Sequence, residues 1–207
     1  MNSRTAAVID EIGRHREQFE RWCRSLSEEE LGRPVPDSNW RVQDFIRHLA
    51  TIDTTVSVWF AAIADGSGLE SAMEGHPDEG KAGEGERFEI DTWNDAQVAE
   101  RRDWSLDQIF AEATETRVAI VRQLTRLGDT ELDSTIQFGG DSKRAASAIK
   151  LIDYLTGWAK HDPIHVNDMI RALPERRQDA DVRSWLDDPE VGGIARGYAK
   201  AMGWEKD

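Results

Sequence analysis

Apolar residues recur at three- and four-residue steps along four long stretches of this chain, a pattern that a helix with one buried side satisfies and a strand does not. In residues 3–26 the stripe is Val8, Ile12, Phe19, Trp22 and Leu26, with His15 on the same side. In residues 41–64 it is Val42, Phe45, Ile46, Leu49, Ile52, Val56, Phe60 and Ile63, and in residues 105–127 it is Leu106, Ile109, Phe110, Ala113, Ile120, Leu124 and Leu127. Residues 145–172 carry Ile149, Ile152, Leu155, Trp158, Ile164 and Met169. No strand-type alternation of useful length is found. The expected fold is therefore all-α, a four-helix bundle with long connections and a short C-terminal helical extension. Residues 1–175 are expected to form the bundle and residues 176–207 the extension, with helical pieces near Val182–Leu186 and Ile194–Met202.

Local signals punctuate the stripes. Ser27-Glu28-Glu29-Glu30 reads as a capping box opening a short helical turn, after which Pro34 and Pro36 enforce an extended connection. Residues 88–102 read as a short helix capped by Asp91 or Thr92, and Ser105 with Gln108 caps the third long helix, which Gly128 ends. Leu26-Ser27-Glu28-Glu29-Glu30-Leu31 is echoed by Leu127-Gly128-Asp129-Thr130-Glu131-Leu132, a hint of a repeated helix pair. Gly139-Gly140 marks a turn between residues 129 and 144. Pro163 falls inside the fourth stripe; the expectation is one continuous helix kinked there, the alternative a new helix starting at Pro163. Residues 65–87 are rich in Gly and Glu and read as a mobile excursion or lid, with His76 a free surface residue.

Composition narrows the function classes. Of 207 residues 39% are hydrophobic, which suits a globular chain, and the formal net charge is −14. A surface so acidic repels phosphate backbones and anionic lipid, so neither nucleic acid nor membrane is an expected partner. No apolar run approaches the roughly 20 residues of a membrane helix. Asp10 and Glu11 interrupt the N-terminal segment before a signal-peptide core forms. The single cysteine, Cys23, has no base or metal-type spacing around it and reads as a small apolar residue beside Trp22. The expected location is the cytoplasm.

The chemistry-bearing residues are histidines. His161 and His165, at i and i+4, share one helix face and can close on one metal ion. By itself an H-x-x-x-H spacing is a weak signal, and here it lacks the Glu of a zincin helix. His48 sits at the edge of the second stripe, placed to point inward. Three neutral imidazoles leave a first-row metal open positions, as catalytic sites require. Asp44, one turn before His48, is either an acceptor for its second ring proton or a helix-start acid. Asp162 and Asp168 flank the histidine pair as further orienting candidates. Trp40, Trp59, Trp93, Trp104 and Trp158 either line an apolar pocket over the metal or fill space between helices. Serine-hydrolase, P-loop and dinucleotide fingerprints are missing.

The segment Trp40-Arg41-Val42-Gln43-Asp44-Phe45-Ile46-Arg47-His48-Leu49 resembles the W-x-V-x-D-x-x-x-H-L segment of the DinB/YfiT-like superfamily, which includes the N-terminal domains of mycothiol-dependent maleylpyruvate isomerases. Asp91-Thr92-Trp93-Asn94 resembles the segment before their third helix, and Trp158 through Met169 their last bundle helix; the likeness spans roughly residues 5–172. The resemblance implies a bundle holding a divalent ion, zinc or nickel, through His48, His161 and His165. It also implies a low-molecular-weight thiol such as mycothiol or bacillithiol, used in an S-transferase or isomerase reaction on a small electrophile, and a possible homodimer. Two departures stand out. Arg41 replaces the Ser or Thr that often caps the second helix, and H-x-x-x-H replaces the isomerases' E-x-x-x-H, which argues against that particular reaction. The separate C-terminal domain of those isomerases also has no room here. A hydrolase using a metal-bound water, and a non-enzymatic metal-stabilised binding or stress protein, are the alternatives.

Overall fold

A computed structural model describes residues 2–64, 89–138, 142–143 and 145–201. The Gly/Glu-rich stretch with His76 and the Gly139-Gly140 turn lie outside the described residues. The elements in order are α1 (Ser3–Cys23), α2 (Glu28–Leu31), α3 (Val42–Ala64), α4 (Ile90–Glu100), α5 (Leu106–Leu124), α6 (Asp129–Leu132), β1 (Thr135–Phe138), β2 (Ser147–Lys150), α7 (Leu151–Ala159), α8 (His161–Met169), a 3-10 helix (Pro174–Gln178), α9 (Ala180–Leu186) and α10 (Pro189–Ala201). The chain divides into two compact units, Met1–Ile9 with Arg47–Leu155, and Asp10–Ile46 with Thr156–Asp207. In the first, Leu49, Phe60, Ile109, Ile120, Leu124 and Leu155 are fully enclosed; in the second, Phe19, Cys23, Val42, Ile46, Met169 and Leu173 are.

The sequence echo corresponds to a repeated backbone device. In the second unit, Leu31 N–H bonds to Ser27 O, Gly32 N–H to Glu28 O and Arg33 N–H to Glu30 O. In the first, Leu132 N–H bonds to Gly128 O, Asp133 N–H to Asp129 O and Ser134 N–H to Glu131 O. A glutamate at the third helical position caps each turn: Glu30 Oε2 accepts from Ser27 N–H at 2.8 Å, and Glu131 Oε2 from Gly128 N–H at 2.9 Å. An antiparallel return follows in both. It is a single bridge, Pro34 to Arg41, in one case, and the four-residue ribbon β1–β2 in the other. Val42 N–H then bonds to Arg33 O, and Leu151 N–H to Ser134 O, and each marks the start of the next helix.

Four expectations need correction. The ribbon was not foreseen, because four residues per strand are too few to show alternation; Ile136 pairs with Ile149 and is buried while its neighbours face water. The ribbon takes Ser147–Lys150, so the fourth helical stretch starts at Leu151 and not at 145. That stretch is also broken, not kinked. Lys160 leaves helical geometry (φ −100°, ψ 9°), and α8 begins at His161. Pro163 thereby becomes the third residue of a new helix, where its missing N–H has no helical carbonyl to serve. The short helix α4, finally, starts at Ile90 with Glu89 before it and no side-chain cap, rather than at Asp91 or Thr92. The Glu89 carboxylate instead accepts from Ser142 N–H at 3.0 Å.

Val182, Trp185, Val191 and Ala195 are buried, and α9 and α10 pack on α8.

Candidate metal centre

His48 is carried by α3, whose start is secured without a hydroxyl cap. Asp44 Oδ2 accepts the Arg41 backbone N–H at 2.9 Å, the acid's half of a capping box, and the Arg41 side chain turns back to donate to Gly32 O at 2.9 Å. Asp44 therefore does the work of a helix-start acid. One turn along α3, the Phe45 ring lies 5.5 Å from that of His165, with Trp40 edge-on to Phe45 at 5.1 Å. His48 follows, buried, with Thr51 Oγ1 donating to its carbonyl at 2.9 Å.

His161 and His165 face each other on the first two turns of α8. Their Nε2 atoms are 3.1 Å apart and their rings stand edge to face at 4.6 Å. Asp168, one turn beyond His165, has Oδ2 3.0 Å from His165 Nδ1, and both side chains are buried. Asp162, the other flanking acid, is turned away from this role. It is clasped by Arg16 of α1 through Nε to Oδ2 at 2.6 Å and Nη2 to Oδ1 at 2.8 Å, a bidentate pair with side chains 11% and 6% exposed. Lys160, at the break, is buried and ion-paired to Glu11 at 2.8 Å and to Glu190 at 3.1 Å. Burial pulls its ammonium pKa down most, but hydrogen bonds to those two glutamates outweigh burial and leave it above its ordinary value. The helix carrying the histidine pair thus has its entry fixed by two buried cations.

His161 is half-buried and His165 buried on α8, and His48 is buried on α3. Two nitrogens bound at about 2.0–2.1 Å to one tetrahedral ion stand roughly 3.4 Å apart, so the separation of the α8 pair is close to what a shared ion needs. Two imidazoles on successive turns of one helix, one of them backed by a carboxylate, are donors suited to zinc or nickel.

The other residues singled out in the sequence take ordinary places. His15 Nδ1 accepts from Trp185 Nε1 at 3.0 Å, and burial, then Arg14, lowers its pKa, so it is held neutral in the core. Cys23 is fully buried; desolvation, then Asp162, pushes its thiol well above the ordinary value. Of the five tryptophans, Trp40 reaches the site through Phe45. Trp93 and Trp158 are buried, and Trp104 lies under the Arg101 guanidinium at 5.4 Å; the Trp59 side chain lies outside the described residues. Sequence reasoning missed Arg16 and Lys160. A signal was there for Arg16, which stands four residues after Ile12 and three before Phe19, a charge on an apolar stripe.

Comparison with known families decides the kinship. The family described as the mycothiol maleylpyruvate isomerase N-terminal domain matches residues 12–152, well over half of the chain. The chain belongs to this family. That match contains His48 and stops before His161, so the α8 pair stands on its own geometry. The crystal structure of a mycothiol-dependent maleylpyruvate isomerase, a mutant with one histidine changed to alanine, aligns with TM-score 0.55 at 8% identity, over 80% of this chain and 60% of that one. At that identity the likeness concerns the fold, which is the all-α DinB/YfiT-like one. This member of the family spans 60% of that isomerase's length. No curated protein matches. Among the described residues no helix is long and apolar enough to cross a membrane.

Proposed function

We propose that this family member is a divalent-metal-dependent enzyme, with His48, His161 and His165 as the ligands and zinc or nickel as the ion. Its reaction joins a low-molecular-weight thiol of the mycothiol or bacillithiol kind to a small electrophile, in transfer or isomerisation. The 3.1 Å approach of the His161 and His165 Nε2 atoms carries the reading, and kinship to the isomerase family, whose matched residues include His48, supplies the third ligand and the thiol. A divalent ion bound there supplies Lewis acidity, which lowers the pKa of a thiol brought against it. The protein's own part is to hold the donors. Asp44 fixes the first turn of α3, Arg16 and Lys160 fix the entry of α8, and Phe45 excludes water from one side of His165. A soluble cytoplasmic protein, paired as a homodimer, belongs to the same proposal.

Two measurements test it. Elemental analysis should find about one zinc or nickel per chain in the wild type, and less than a tenth of that in His48→Ala and His161→Ala variants that keep their helical circular dichroism. Turnover of a small electrophilic probe should then require added thiol. Metal content unchanged by both substitutions refutes the centre, and turnover indifferent to thiol refutes the reaction.

A further inference from the structure

Asp168 and His165 form a buried contact whose chemistry is more specific than packing. Oδ2 of Asp168 lies 3.0 Å from Nδ1 of His165, and the two residues are 6% and 3% exposed, so water does not compete for either group. A carboxylate oxygen only accepts hydrogen bonds. If the ring carried its proton on Nε2, the lone pair on Nδ1 would face the carboxylate lone pairs across 3.0 Å in a buried place, an arrangement that costs the full desolvation of both groups with no bond formed. On the opposite side of the same ring, Nε2 lies 3.1 Å from Nε2 of His161. That second contact needs one proton, and a proton on Nδ1 of His165 leaves His161 as the donor.

We propose that Asp168 is the positioning residue of His165: it holds this ring as the Nδ1–H tautomer and turns the Nε2 lone pair toward His161. The two histidines of α8 are thereby unequal. His165 is preset to bind a cation through Nε2, whereas His161 carries its proton on Nε2 in the metal-free protein and must move it to Nδ1 to coordinate through that same Nε2. The consequence for metal uptake rests on the proposed metal centre; the tautomer assignment does not.

The test uses the full-length protein stripped of metal, with Asp168→Asn and Asp168→Ala variants. Long-range proton–nitrogen NMR correlations on the histidine rings report which nitrogen is protonated, a property that a merely structural role for Asp168 would not change. His165 should appear as Nδ1–H in the wild type and shift toward Nε2–H in Asp168→Ala. Zinc affinity, measured by competition with a chromophoric chelator, should fall on the order of ten- to a hundredfold in Asp168→Ala. It should fall less in Asp168→Asn, whose amide oxygen still accepts. An Nε2–H tautomer at His165 in the wild type overturns the proposal, as does a folded Asp168→Ala variant with an unmoved tautomer or, where the wild type binds zinc, an unmoved zinc affinity. If Asp168→Ala does not fold, the wild-type spectrum and Asp168→Asn decide. An Nδ1–H tautomer in a protein that takes up no zinc supports the positioning role and removes the metal centre alone.

Discussion

Replacing Asp162 by Asn should reveal how the helix bearing the histidine pair is held. The change is nearly isosteric, yet it removes the charge that neutralises Arg16, whose side chain is only 11% exposed and makes hydrogen bonds of 2.6 and 2.8 Å to the carboxylate. Stranding one member of a buried ion pair costs about 3–5 kcal/mol. With total stabilities of about 5–15 kcal/mol, that is a large fraction of what keeps a chain folded. In urea unfolding followed by circular dichroism, a slope of about 2–3 kcal/mol per molar turns this loss into a midpoint shift on the order of 1–2 M. Arg16→Met should be costly for the converse reason, since it leaves a buried carboxylate alone. The double variant Arg16→Met/Asp162→Leu should recover most of the loss, because an apolar pair of similar volume incurs no desolvation penalty. An Asp162→Asn cost under about 1 kcal/mol, or a double variant that costs the sum of the two singles, would show that Arg16 and Asp162 do not act as a buried pair.

Other consequences can be checked separately. Arg176, above all, brings the Glu30 carboxyl down from 4.5 to about 2, with Ser27 assisting against burial. A depressed folded pKa means that the pair's stabilisation is complete above about 4.5 and is lost as the pH falls toward 2, so the stability gap between wild type and Glu30→Gln should be widest near pH 7 and closing by pH 3. That gap should be about 1–2 kcal/mol at neutral pH, since Arg176 is partly open to solvent; a gap that widens on acidification contradicts the assignment. Cys23, fully buried with a raised thiol pKa, should resist a thiol-specific reagent in the native protein at pH 8 and react only on unfolding; rapid native labelling would show the core to be open. Trp185→Phe removes the donor to His15 and should lower stability by about 1–3 kcal/mol in thermal unfolding; no change would mean that the indole bond is not formed in solution.

The sequence made the helices legible because each carries a stripe long enough to count. Three of the four long ones start within one residue of where the stripes place them. α1 ends at Cys23 rather than Leu26 because Ser25 and Leu26 bond back three residues, to Trp22 and Cys23, and the final turn tightens. Elements of four residues, such as β1 and β2, were invisible for want of a period. The break at Lys160 was hidden for a different reason. Pro163 announced an interruption, but where the old helix stops depends on partners far along the chain, Glu11 and Glu190 for Lys160 and Arg16 for Asp162. For the candidate site, spacing showed that His161 and His165 share a face, the second stripe placed His48 inward, and a family likeness joined it to the pair. Nothing local distinguished Asp168 from Asp162. Both are acids beside a histidine, and only the fold assigns one to His165 and the other to Arg16.

The nine residues of α8 are fewer than an isolated helix needs to persist in water. Its two imidazoles are therefore presented at a fixed spacing only while the surrounding segments clasp it. Any partial opening that frees Asp162 from α1 or lifts α10 away should scatter those rings before the longer helices melt. Affinity for a cation would then lapse at denaturant concentrations where most of the helical signal persists.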